Sequence, residues 1–163
     1  MPNKIKLTYF NLRGRAEVSR LMLAHKGVEY EDNRITGDQW KALKPKTPFG
    51  GLPLLEYNGL ELSQSMTIGR FLAREMNLAG KTRTEEAQVD MVVDCIIDLM
   101  GAQVKAVFEK DEKVKAELME KLKKETVPGA MANLEAILAK NRGKFMVGND
   151  VSLQSFVVSK NPV

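Results

Sequence analysis

Leu52-Pro53-Leu54-Leu55-Glu56-Tyr57-Asn58-Gly59-Leu60-Glu61-Leu62-Ser63-Gln64-Ser65 is the stretch that decides the fold. Asn-Gly between two apolar runs is the strongest two-residue signal for a type I′ turn. The segment therefore predicts an antiparallel hairpin, Leu52–Tyr57 against Leu60–Leu62. Proline donates nothing to a ladder, so Pro53 fits only where the strand starts, after a cis bond. A cis bond there leaves the backbone of Leu52 free to pair with an extended peptide. Ser65 is placed to cap a helix whose inner face is Ile68, Phe71, Leu72 and Met76.

Toward the N-terminus, Ile5–Phe10 is a short apolar, β-branched run that suits a strand, and Gly14 breaks it. Val18, Leu21, Met22 and Ala24 give Arg15–Lys26 the spacing of an amphipathic helix, with Gly27 as its stop. Val28–Ile35 reads as a second strand. Pro45, Pro48, Gly50 and Gly51 mark an irregular connection. A strand–helix–strand unit favours a parallel pair with a right-handed crossover, to which the hairpin adds antiparallel strands. The result is one small mixed sheet with helices against it.

Toward the C-terminus the texture changes. Asn77–Arg83 is a polar linker containing Gly80, and no strand signal follows for a long way. From Thr84 to about Phe108, Val89, Val92, Val93, Ile96, Leu99, Met100, Val104 and Val107 recur at helical spacing. In the charged segment Asp111–Lys124, Val114, Leu118 and Leu122 predict a solvated helix with a narrow buried stripe. Thr126-Val127-Pro128 starts or kinks a further helix, with Met131, Leu134, Ile137 and Leu138 on its inner face. Asn141–Gly148 reads as a turn.

The 163 residues carry 25 Lys and Arg against 21 Asp and Glu, a net charge of +4 spread along the chain. That gives no basic face or stripe for nucleic acid. One cysteine, Cys95, excludes an intrachain disulfide framework, and one histidine, His25, excludes multi-histidine metal sites; no metal is expected. No apolar run approaches the ~18 residues of a membrane span. Too few apolar residues follow Met1-Pro2-Asn3-Lys4 for a signal peptide, so a cytoplasmic protein is the expectation.

Five features bear on chemistry. Tyr9 ends the first strand, where open α/β sheets place ligands, and a phenol there can donate to an anion, although a half-buried strand tyrosine reads the same way. In Arg13-Gly14-Arg15, Arg15 opens a helix, where a cation opposes the macrodipole unless it has another task. Trp40 and Lys44 stand four apart and form a carboxylate clamp if the segment is helical; a tryptophan plugging a core edge is the equal alternative. Leu52 offers its backbone. Gln64-Ser65 stands at a helix N-terminus, where free N–H groups attract a carboxylate. Together they describe a groove for a small, extended, anionic peptide.

Tyr9-Phe10-Asn11-Leu12-Arg13-Gly14-Arg15-Ala16-Glu17, Pro48-Phe49-Gly50-Gly51-Leu52-Pro53-Leu54-Leu55-Glu56 and Leu62-Ser63-Gln64-Ser65 resemble the sigma-class glutathione S-transferases, the group of haematopoietic prostaglandin D synthases and S-crystallins. The resemblance runs from about Lys4 to Asp150. It implies an α/β thioredoxin-like N-terminal domain over residues 1–79 and an all-α C-terminal domain over residues 84–163, assembled as a homodimer. It also implies roles. Tyr9 hydrogen-bonds the glutathione sulfur and favours its thiolate, and Arg15 assists. Trp40 and Lys44 hold the glycine carboxylate, and Leu52, before cis-Pro53, pairs with the cysteinyl unit. Gln64 and Ser65 bind the γ-glutamyl carboxylate, and Asp98 reaches the glutathione of the partner subunit. Phe10, Arg15 and Met100 line the pocket of a small electrophilic substrate.

Departures from the pattern accompany these matches. Gly51 replaces a glutamine of many relatives. Ile97 and Lys105 replace an acidic and an aromatic residue of the prostaglandin D synthases, which disfavours isomerase activity. From about Val151 the tail diverges. Ser152 could cap a helix, but Ser155 stands where the capping box has its acid, and the expectation is a C-terminally truncated domain with apolar faces left bare. The implied function is transfer of the glutathione thiolate to apolar electrophiles. The alternatives are a prostaglandin isomerase and an inactive, crystallin-like structural homologue.

Overall fold

The computed structural model describes residues 4–160, without the side chain of Lys160. It divides into two compact units, Met1–Leu78 and Ala79–Val163. No helix is long and apolar enough to cross a membrane among the described residues.

The first unit runs β1 (Ile5–Phe10), a short 3₁₀ turn (Gly14–Ala16), α1 (Glu17–His25), β2 (Glu31–Ile35), α2 (Gly37–Leu43), β3 (Leu54–Tyr57), β4 (Leu60–Ser63) and α3 (Ser65–Glu75). The sheet order is β2-β1-β3-β4. β1 runs parallel to β2, with Lys6 opposite Glu31 and Phe10 opposite Ile35. It runs antiparallel to β3, with Ile5 opposite Tyr57 and Thr8 opposite Leu54. The hairpin of β3 and β4 pairs Tyr57 with Leu60. Asn58 (φ 50°) and Gly59 (φ 89°) close it with both central residues at positive φ, as a type I′ turn demands. Leu7, Leu55, Met22, Leu23, Ile68 and Leu72 are fully buried, and α1 and α3 pack together.

Several boundaries move for physical reasons. Gly27 (φ 62°) ends α1, and the Val28 N–H donates to the Leu23 carbonyl (3.0 Å). The chain is still closing the helix there, so β2 begins at Glu31 and not at Val28. The Leu52–Pro53 bond is cis, and β3 joins the ladder only at Leu54. Inside α1 the buried residues are Val18, Ser19, Arg20, Met22 and Leu23. The expected face therefore turns: Ala24 is exposed, Leu21 half-buried, and Arg20 takes a core position. Ser65 does not cap α3. Gln64 occupies the cap position without a side-chain bond, and Ser65 is already the first helical residue.

The second unit is all helical: α4 (Arg83–Val107), α5 (Glu112–Lys121), α6 (Val127–Lys140) and α7 (Leu153–Lys160). Thr82 caps α4 by accepting the Glu85 N–H (3.1 Å), and the Glu85 carboxylate accepts the Lys81 N–H (2.7 Å). Val89, Val92, Val93, Ile96 and Leu99 are buried, as their spacing predicts. Val104 and Val107 are exposed. Periodicity reports the phase of a helix, not how far its packing extends. Likewise Leu122 is buried whereas Val114 is exposed, and on α6 only Leu134 is buried.

No loop separates α5 from α6. A π-helical turn, Leu122–Thr126, joins them, with the Val127 N–H donating to the Leu122 carbonyl. Pro128 follows immediately. A proline ring clashes with the carbonyl four residues back in a regular α-helix, here Lys124, and the wider turn removes that clash.

The tail carries more structure than expected. α7 packs on α4, with Leu153, Phe156 and Val157 buried. Ser155 Oγ accepts the Ser152 N–H (3.5 Å), whereas the Ser152 hydroxyl turns to the Gln154 side chain. Gln154 is buried, and its Nε2 has no partner. This segment thus buries part of the apolar face of α4 that the sequence leaves bare. Leu153→Ala should cost about 2–5 kcal/mol, the usual range for a large-to-small core change. A fall in denaturation midpoint with loss of amide protection along α4 and α7 is the expected readout.

Candidate functional site

The residues predicted in the first unit lie near the end of β1 (Tyr9), within α2 and just after it (Trp40, Lys44), before β3 (Leu52) and at the start of α3 (Gln64, Ser65). Tyr9, at the end of β1, is 8% exposed. Its hydroxyl accepts the backbone N–H of Arg15 (3.1 Å), and its own proton is committed to no acceptor among the described residues. It is the amide of Arg15, and not its exposed guanidinium, that reaches the phenol.

Gly14 makes this approach feasible. It has φ +43°, and a Cβ there would stand 2.7 Å from the Tyr9 hydroxyl, 2.8 Å from Tyr9 Cε1 and 2.5 Å from Leu12 Cδ1. No side chain fits without moving the phenol. The Tyr57 hydroxyl donates to Glu75 (3.1 Å), and burial followed by that bond pushes the phenol up. Tyr30 is pushed up by burial and then by the Asp32 charge. Both stay protonated at neutral pH.

Phe10 links Tyr9 to α2. Its ring stands edge-on to Tyr9 (5.6 Å between centroids) and to half-buried Trp40 (6.1 Å). Thr36 and Gln39 form a full capping box at the start of α2, which fixes that helix. Lys44 follows one turn after Trp40, its N–H bonded to the Trp40 carbonyl. Its exposed side chain runs along the loop at Gly50. The segment is helical, so Trp40 and Lys44 stand one turn apart.

Leu52 is half-buried and lies outside the β1–β3 ladder. Gln64 holds φ 72° and ψ 116°, a conformation that costs a non-glycine residue about 1–3 kcal/mol. The first turn of α3 after it has no side-chain cap and no acidic residue, so its leading N–H groups remain available to an anion. In the second unit, Asp98 is exposed and Met100 half-buried on α4. No group of His, Cys, Asp and Glu suited to a metal ion occurs among the described residues.

The sequence reading passes over Arg20 and Asp32. Arg20 is 6% exposed. Its Nε donates to Asp32 Oδ1 (3.0 Å), and its Nη1 to the carbonyls of Leu12 (2.8 Å) and Arg13 (3.4 Å) and to Glu17 (3.3 Å). Asp32 Oδ2 accepts from Arg34 (2.8 Å), whose Nη1 also reaches Asn11 (2.9 Å). That pairing pushes the Arg34 guanidinium above its usual value. The available signal was Glu17-x-x-Arg20, an acid and a base one helical turn apart.

Residues 5–74 match the glutathione S-transferase N-terminal domain, and residues 97–160 the C-terminal domain. Glutathione S-transferase 1 of Ascaris suum is 45% identical over 162 residues, spanning 94% of this chain and 76% of that one. The chain belongs to the glutathione S-transferase family. Another relative is the haematopoietic prostaglandin D synthase of Gallus gallus, 42% identical over 156 residues, spanning 96% of this chain and 76% of that protein. Among solved structures, the Nu-class transferase of Haemonchus contortus superposes with a TM-score of 0.89 at 33% identity, covering 97% of this chain and 79% of that one.

This transferase does not divide its charge evenly. Residues 1–78 hold twelve Lys and Arg against eight Asp and Glu, and residues 79–163 hold thirteen against thirteen. The whole excess of +4 therefore lies in the unit that carries Tyr9, Trp40, Lys44 and Gln64, which corrects the even spread read along the chain.

Gly14→Ala tests the close approach at the phenol. It should lower stability by about 1–3 kcal/mol, the cost of a non-glycine residue in such a conformation. It should also shift the ring resonances of Tyr9, read by denaturant titration and by NMR.

Proposed function

We propose that the chain transfers the thiolate of glutathione to electrophilic carbons of small apolar substrates, with Tyr9 as the catalytic residue. The observation that carries this reading is the Tyr9 hydroxyl, held by one amide and free to donate its proton. A free thiol titrates near 8.5, so only about 3% is thiolate at pH 7. A hydrogen bond to the sulfur anion contributes about 1.5–3 kcal/mol, or roughly one to two pH units at 1.36 kcal/mol each. That raises the thiolate share to about a quarter or more, and the nucleophile is then present at neutral pH.

The remaining residues bind. Trp40 and Lys44 take the glycine carboxylate, and Leu52 beside Pro53 pairs with the cysteinyl backbone. Gln64, Ser65 and the open first turn of α3 take the γ-glutamyl carboxylate. Arg15 contributes its amide to the phenol and its exposed guanidinium to the charge near the sulfur. The positive excess of the first unit favours an anionic tripeptide. In a homodimer, Asp98 supplies the γ-glutamyl amine of the partner's glutathione with a carboxylate. Ile97 and Lys105, at positions where the synthases carry an acid and an aromatic, favour conjugation over prostaglandin isomerisation.

Tyr9→Phe should cut turnover with an aryl halide about 10- to 100-fold at neutral pH, as expected for a lost bond of that strength. Glutathione affinity should stay within a few-fold, and the inflection of the pH–rate profile should move up by about one to two units. Unchanged turnover refutes the role of Tyr9. A second expectation concerns encounter. The association rate of glutathione should fall as ionic strength rises from about 10 mM to about 500 mM, because screening shortens the reach of the first unit's field; stopped-flow fluorescence of Trp40 reads it.

A further inference from the structure

The Tyr9 hydroxyl is placed by the Arg15 amide, so whatever sets the path of residues 11–15 sets the phenol. Two short bonds start that path: the Leu12 N–H donates to the Phe10 carbonyl (2.7 Å), and Arg34 holds Asn11 (2.9 Å). The next two carbonyls, of Leu12 and Arg13, both turn to Arg20 Nη1. Arg20 is itself fixed by Asp32 on β2 and Glu17 on α1, and its guanidinium carbon lies 5.9 Å from the centre of the Tyr9 ring.

Its Nη2 is buried with no hydrogen-bond partner. A buried charge with an unfilled donor is a poor source of stability, since an apolar side chain of like volume commonly does as well. What an arginine offers that an apolar residue does not is a rigid planar fork that grips several oxygens at fixed angles.

We propose that Arg20 is a positioning residue for the transfer reaction: by gripping the Leu12 and Arg13 carbonyls it sets where the Arg15 amide stands, and so where the Tyr9 hydroxyl meets the sulfur. The proposal rests on Tyr9 being the catalytic residue. It assigns Arg20 no contact with glutathione; its action runs through the phenol.

The test titrates the thiolate absorbance of glutathione bound to the full chain in four proteins: wild type, Arg20→Met, Tyr9→Phe and the double variant. Arg20→Met should move the bound thiol's inflection up by about one unit, so that kcat/KM falls about tenfold below the inflection and recovers above it. Glutathione affinity should stay within about threefold. In the Tyr9→Phe background, Arg20→Met should add no further shift, because the group through which it acts is gone. Arg20→Lys, which keeps the charge without the fork, should fall between Met and wild type.

An inflection that moves in Tyr9→Phe but not in Arg20→Met overturns the proposal alone. A shift of equal size in both backgrounds also overturns it. An inflection unmoved in Tyr9→Phe removes the reading of Tyr9, and the proposal falls with it. If Arg20→Met does not fold, Asp32→Ala, which removes the acceptor of Arg20 Nε, carries the same expectation of an upward shift lost in the Tyr9→Phe background, and an unmoved inflection there overturns it.

Discussion

The hydrogen bond from the Arg15 amide to the Tyr9 hydroxyl is the constraint on which the geometry of the candidate site depends. It brings the end of a strand and the start of a helix within 3.1 Å of each other, and it needs a residue without a side chain between them. Gly14 meets that need with a positive φ and an empty Cβ position. The sheet supplies the rest. Parallel pairing of β1 with β2 sets Asp32 opposite Leu7, and from there Asp32 holds Arg20 and Arg34 at once. The surroundings of the phenol are thus built from a backbone amide and an ion network centred on buried Arg20.

The two units divide the work by composition. The first carries the whole positive excess together with Tyr9, Trp40, Lys44 and Gln64. The second is neutral and organised around α4, whose start is tied down by a local network. Thr82 and Glu85 cap it, Lys81 pairs with Asp150, and Asn141 Nδ2 donates to the carbonyls of Phe145 (2.8 Å) and Gly148 (2.7 Å). Lys81 holds the Asp150 carboxyl below its ordinary range, chiefly through the hydrogen bond they share. The pair is exposed, so it contributes direction more than stability.

Much of the fold was legible because its signals are local. Asn58-Gly59 dictates the hairpin through the sign of φ, Gly27 ends α1 for the same reason, and Val89 to Leu99 repeat with the period of the helix they form. The candidate site was legible only as residue types at set places, since Tyr9, Trp40 and Lys44 advertise their chemistry singly. What escaped depends on non-local packing. Arg20's neighbourhood in sequence offers only Glu17, one turn back, because the other oxygens that neutralise it come from a loop and from the next strand. Ser65 reads as a cap by residue type, yet Gln64 takes that position in a backbone conformation that composition does not reveal. Val104 and Val107 share the helical period of the core residues and are nonetheless exposed. The segment after Val151 lacks the acid of a capping box, but burial of Leu153, Phe156 and Val157 outweighs the weak start of its helix.

The join between α5 and α6 couples length to orientation. In a chain with a loop at that point, an added residue swells outward and leaves both helices where they were. Here the backbone is wound continuously from Glu112 to Lys140, and each residue rotates the backbone beyond it by about 100°. The π turn lies within that winding, ahead of Leu134, the buried residue of α6. Insertion or deletion in this stretch is consequently read out as a twist of the whole downstream helix, making it among the least forgiving places in the second unit for a change in residue number.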